Sequence, residues 1–151
     1  MRGPDAAALD RARSAVLNVL ILAALGIVIS GWALRRRDPA ATPVSPLRAR
    51  GPAQVALAVL FAASVAARRT LASRTALRDT GRRASRLYRG HVVAAVLGAM
   101  AIPLGFAYGW EAEPDLRAIA PFWVAALALG ILAIPRASGL DDLDDPREPL
   151  S

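Results

Sequence analysis

The 151-residue sequence contains no cysteine, no lysine and a single histidine. Without cysteine there is no disulfide framework, thiolate metal site, haem-attachment motif or cysteine nucleophile. The single imidazole, His91, stands beside Arg89 with no second histidine and no nearby acid, so it is read as an interfacial residue rather than a metal ligand. No hydroxyl nucleophile has a visible base, and no glycine-rich phosphate loop is present. No catalytic, cofactor-binding or metal-ligating residue is assigned, and a non-enzymatic protein is expected. With lysine missing, every positive side chain is an arginine, a usage that fits a GC-rich coding genome.

Charge is also missing from four long stretches. Residues 14–34, 53–67, 91–110 and 118–135 contain no Asp, Glu, Lys or Arg. A membrane-crossing helix needs roughly 20 predominantly apolar residues. The first stretch meets that length outright. A cleaved signal peptide is the competing reading, but the apolar core is too long and Arg35, Arg36 and Arg37 follow at once. The second is short, and Arg68 and Arg69 extend it by snorkelling. The third contains Pro103, which removes a backbone donor and predicts a kink. The fourth has Pro121 in its expected first turn, where proline is tolerated. The expected fold is all-α: a polytopic membrane protein with four transmembrane helices as two helical hairpins, forming one membrane domain over residues 1–151.

Between the second and third stretches lies RRTLASRTALRDTGRRASRLYRG, residues 68–90, with eight arginines and one acid. Positive residues in short loops stay cytoplasmic. Four spans with an inside N-terminus place thirteen arginines inside and six outside. Trp32, Trp110 and Trp123 then fall toward the outer interface, where indole rings are favoured. A three-span alternative, with residues 53–67 merely interfacial, places fifteen arginines inside and four outside. It keeps Arg35–Arg37 cytoplasmic, but it leaves an uninterrupted apolar run unused. The expectation is a multi-pass protein of the bacterial cytoplasmic membrane with both termini cytoplasmic.

Asp79-Thr80-Gly81 is a turn signal, so the arginine-rich segment is predicted to be a helical hairpin with arms ending near Arg78 and beginning near Arg82. Leu77, Leu87 and Tyr88 are expected to pack between the arms. Arg68, Arg69, Arg74, Arg78, Arg82, Arg83, Arg86 and Arg89 are the candidate contacts for anionic lipid head groups or a protein partner. Nucleic acid is not expected as a partner, because no recognition motif is present. The outer connector, residues 35–52, carries four prolines and reads as extended. The acidic tail has Asp141, Asp142, Asp144, Asp145 and Glu148. It lacks calcium-loop spacing and reads as solvated, with a screened attraction to the arginine segment.

Within the spans, Asn18 is the best buried polar candidate: it can bond across helices or, within a turn or two of the cytoplasmic face, reach water, and its structural reading is preferred to a functional one. Gly26 with Ser30, and Gly105 with Gly109, are small-xxx-small pairs expected to pack inside the bundle rather than at a dimer face.

RLYRGHVVAAVLGAMAIPLGFAYGW and APFWVAALALGILAIPR, residues 86–136 with their short linker, resemble a group of small, uncharacterised bacterial four-helix membrane proteins. Their layout is similar to two end-to-end copies of the hairpin of rotary ATPase c subunits. The resemblance implies a hairpin pair. Relatives of this kind often carry an acid in the third span before the proline, where this chain has Gly98-Ala99-Met100-Ala101-Ile102. No functional residue carries over, and a proton-carrying role is not implied. The expected function is a non-enzymatic accessory or scaffold component, the alternative a subunit of a transport or channel complex without its own ionisable site. A homo-oligomer or a protein partner is compatible with either.

Overall fold

A computed structural model describes residues 3–38, 44–71 and 83–135, with side chains for residues 7–38, 44–70 and 85–135. The described residues are all-helical. Helix α1 is Gly3–Arg35, α2 Pro46–Leu71, α3 Arg83–Ala99, α4 Ala101–Glu111 and α5 Leu116–Leu132. Only Met100 separates α3 from α4, and its backbone stays helical at φ −62°, ψ −14°. The break has a local cause: Pro103 has no N–H to offer the carbonyl of Ala99. Ser85–Glu111 therefore continues as one apolar stretch of 27 residues, interrupted only at Met100.

Ala7–Arg35, Pro46–Thr70 and Ser85–Glu111 are each long and apolar enough to cross a membrane. Helix α5 is apolar but has 17 residues, about 25 Å at 1.5 Å per residue. Large apolar side chains lie exposed on every long element, among them Ile21, Leu22, Val28, Val55, Val59, Val96, Val124 and Ile131. A soluble bundle hides such residues, whereas a bilayer solvates them. These are the features of a membrane protein.

Helix α2 is longer than the charge-free run 53–67. It begins at Pro46, whose fixed φ and missing N–H suit the first helical position, and it carries Pro52 inside. Ser45 starts it, its carbonyl accepting from the Arg48 and Ala49 amides at 3.0 and 3.2 Å. The expected extended connector is thus helical from residue 46 onward, because two of its four prolines occupy the start of α2. Helix α5 likewise starts early. Asp115 caps it, Oδ1 accepting from the Arg117 amide at 2.9 Å, which puts Pro121 at the sixth helical residue rather than in the first turn.

The helices do not assemble as two separate hairpins. α4 and α5 are antiparallel neighbours, but α1 and α2 touch only marginally, and α3 lies between them and packs closely against both. Small side chains explain this. In lipid, apolar burial does not pull helices together, so close packing decides which pairs form. Ala94 and Ala95 of α3 accept Val16 of α1, and Ala94 also meets Ser64 of α2.

A seam runs along α3, α4 and α5. Ala94, Gly98, Ala101, Gly105, Tyr108 and Ala112 are buried on one side, and Ile119, Phe122, Ala126, Leu129 and Ala133 on the other. Both sets alternate steps of three and four, the spacing of a coiled-coil seam. A Cβ added at Gly98 would lie 2.7 Å from Leu129 Cβ, and one at Gly105 2.7 Å from Phe122 Cβ. At Gly109 it would collide with Ile119 Cδ1. The Gly105/Gly109 pair therefore packs within the bundle, as does Gly26, where an added Cβ would stand 3.5 Å from Ile102 Cγ2, with Ser30 buried nearby on α1.

Candidate functional site

Helix directions bring the start of α1, the end of α2, the start of α3 and the end of α5 to one end of the bundle. Arg11, Arg13, Arg68, Arg69, Arg86 and Arg89 gather there. Arg68, Arg69 and Arg89 are exposed and Arg86 is half-buried. Of the other candidate arginines, Arg74, Arg78 and Arg82 lie outside the described residues, as does the side chain of Arg83. The expected hairpin turn at 79–81 and the acidic tail also lie outside them. Leu87 is buried, while Tyr88 is 40% exposed and so does not pack as Leu87 does.

At this end the last carbonyls of α5 are each satisfied. A helix leaves four of them without intrahelical partners. The Ala133 amide donates to Leu129 and Gly130, at 2.9 and 3.2 Å, and the Ile134 amide to Ile131 at 3.1 Å. Leu132 O accepts from Arg68 Nη1 at 2.7 Å. Beyond it, His91 Nδ1 lies 2.7 Å from Ala133 O, and Arg13 Nε donates to Pro135 O at 3.2 Å. A carbonyl only accepts, so Nδ1 of His91 carries the proton. One donor thus comes from each of α1, α2 and α3. Two of them are cations, which suit the negative end of the α5 dipole. His91 is an anchor between helices, a role its position at the start of the third span only hinted at.

Two clefts open beside this cap. One, of about 800 Å³ between α1 and α3, is lined by Asp10, Arg11, Ser14, Asn18, Ser85 and Tyr88. Asn18 is exposed on this cleft, the water-facing of the two placements open to it so near the start of the first apolar run. The other, of about 470 Å³, separates α2 from α5. Arg68 and Arg69 stand with Ser64, Val65, Leu129 and Leu132 around it, and Ala94 belongs to its lining. Ser64 is buried, its Oγ donating to the Ala94 carbonyl at 2.8 Å.

The opposite end holds a second polar cluster. Tyr108 Oη donates to Glu113 Oε2 at 2.7 Å, and Arg50 Nη2 approaches the same oxygen at 3.5 Å. The guanidinium of Arg36 lies 4.0 Å from the ring centroid of Trp32, and that of Arg37 4.2 Å from Trp110. The Val44 amide donates to Glu111 O at 3.1 Å, tying the connector to the end of α4. These arginines, which oppose the charge rule in the four-span threading, are thus held by aromatic faces and a carboxylate. Trp123 differs from the other two tryptophans. It lies midway along α5 against Gly31, Cη2 being 3.3 Å from where a Cβ would stand, and its indole N–H is buried with no partner among the described residues.

Among the described residues, no three His, Cys, Asp or Glu side chains come close enough to hold a metal ion. Ser64, Gly98 and the Tyr108–Glu113–Arg50 cluster did not stand out in the sequence. A serine in an apolar span and the step of seven from Gly98 to Gly105 were the available signals. The ion cluster joins loop to helix and left none. No family model, curated protein or solved structure matches the chain.

Proposed function

We propose that this chain is a four-span membrane scaffold, non-enzymatic, with both termini and the segment 68–90 on the cytoplasmic side, acting through contacts with lipid and protein. The observation that carries this reading is the closed seam. Gly98, Gly105 and Gly109 admit α5 so closely that a methyl group has no room, and apart from Tyr108, whose hydroxyl meets Glu113 at one end, the buried polar side chains among the described residues are Ser30 and Ser64. Pathways for ions and protons through membrane proteins are marked by inward ionisable groups. A tightly packed interior of small apolar residues supports a structural element instead. For α5 as a fourth span, support comes from its antiparallel packing on α4 and from the donors that reach its end from three neighbouring helices.

Cysteines introduced at Ser45 and Ser85 test the threading, since both positions are exposed. An impermeant thiol reagent applied to intact cells should label Ser45→Cys and spare Ser85→Cys. Reversed labelling overturns the orientation, and protection of both favours the three-span arrangement. In the same vein, purified protein in vesicles carrying a pH gradient should leave proton leak at its protein-free level. A leak proportional to protein would replace the scaffold reading with a transport one.

A further inference from the structure

We propose that the cleft between α2 and α5 holds one anionic phospholipid, with its phosphate on Arg68 and Arg69 and an acyl chain against Val65, Leu129 and Leu132. The inference rests on the bilayer-embedded reading above and adds a ligand to it.

The cleft follows from how the helices pack. α2 and α5 each lean on α3 and α4 but meet each other sparingly, which leaves about 470 Å³ between them. Ala94 and Ser64 line it, and the hydroxyl of Ser64 is already committed to the Ala94 carbonyl. The interior therefore offers a polar ligand nothing and accepts hydrocarbon. The mouth is the reverse. Arg68 and Arg69 end the charge-free run 53–67, at the level where lipid phosphates lie. Arg68 uses one guanidinium N–H on Leu132 O and keeps its remaining donors. Arg69 is exposed and has no acidic partner among the described residues. A guanidinium pair matches the oxygens of a phosphate, and an apolar cleft beneath it matches an attached chain. Inorganic phosphate would leave that cleft empty. The larger cleft between α1 and α3 is a poorer candidate, because Asp10 sits beside Arg11 there and opposes an anion.

The test uses the full chain, purified in neutral detergent, stripped of lipid and examined by native mass spectrometry. Phosphatidylglycerol and phosphatidylcholine are offered at equal concentration. One phosphatidylglycerol per chain should survive collisional activation that removes phosphatidylcholine. Arg69→Gln should lower its retention at least fivefold. Val65→Phe, which fills the cleft, should lower it similarly while the helical circular dichroism stays unchanged. Arg48→Gln, at the opposite end, should leave it unaltered. Arg68 is not varied, since its loss also uncaps α5. Equal retention of the two lipids, or indifference to both cleft variants, overturns the proposal. So does displacement of the lipid by millimolar inorganic phosphate, which would mark a site for free phosphate. Lipid that binds only after the acids of residues 141–148 are neutralised would make the chain's own tail the occupant, again overturning it. Mass spectrometry is blind to sidedness, so a failure of the cysteine-labelling test and a failure of lipid selectivity are separate outcomes.

Discussion

The hydroxyl of Ser64 on α2 donates to the main-chain carbonyl of Ala94 on α3 at 2.8 Å, in a buried position. This is a direct hydrogen bond between two long helices, and it sits where α3 is thin enough for α2 to approach. Hydrogen bonds between membrane helices contribute modestly, about 0.6 kcal/mol on average and up to about 1.7. Ser64→Ala should therefore destabilise the bundle by about 1 kcal/mol in detergent denaturation. Ser64→Thr, which keeps the hydroxyl, should recover part of the loss. Equal loss from both variants would show that the space, not the bond, matters there.

The glycine seam makes a stronger prediction. Replacing Gly105 by leucine drives atoms into Phe122, whose Cβ already stands 2.7 Å from the nearest possible side-chain atom. Overpacking of this kind costs about 1–3 kcal/mol, and more where backbones must separate. Gly51→Leu is the control, because nothing lies within 4 Å of its Cβ position. Thermal unfolding in detergent should fall clearly for Gly105→Leu and hardly at all for Gly51→Leu.

The cap of α5 can be removed in parts. His91→Leu deletes the donor to Ala133 O, and Arg13→Gln removes the guanidinium from Pro135 O. Both should fray the end of α5 before they unfold the bundle. Hydrogen exchange should speed up at the amides of Ala133 and Ile134, which close the last turn, and stay slow at Ala126 in the buried seam. Uniform acceleration along α5 would mean that these residues hold the whole helix in place.

At the other end, Tyr108→Phe removes the hydroxyl that donates to Glu113 and keeps the ring stacked on Phe122 at 5.8 Å. A loss of about 1 kcal/mol is expected from the missing bond. Arg50→Gln should have a smaller effect, because its contact with Glu113 is long and exposed and salt screens it. Stability of the two variants measured at low and high salt separates them: only the Arg50 contribution should shrink as salt rises.

Particular residues show what the sequence made legible. Arg35 ends α1, and Arg68 and Arg69 lie in the last turn of α2, because a charged side chain in hydrocarbon is expensive and marks where a span stops. Pro103 announced the break between α3 and α4, since it cannot supply an N–H. The start of α2 is not legible in the sequence because proline is ambiguous: Pro46 and Pro52 favour a connector by composition but fit a first helical position and an early helical turn equally well. Asn18 is ambiguous in the sequence between a bond across helices and contact with water, because a long apolar run conceals which face of a helix turns inward.

The sequence alone determined the helical class, the apolar runs and the gathering of arginine between the second and third of them. These are local properties: the cost of charge and of unpaired backbone in lipid acts on each segment separately. Only the tertiary structure decided that α1 and α2 flank α3 instead of forming their own hairpin, that Gly98, Gly105 and Gly109 receive α5, and that Arg13, Arg68 and His91 meet at one helix end. In lipid every apolar face is equally content, so hydropathy cannot choose among partners. That choice falls to close fit between small residues and to donors that reach a carbonyl many residues away, and both exist only once the helices are side by side.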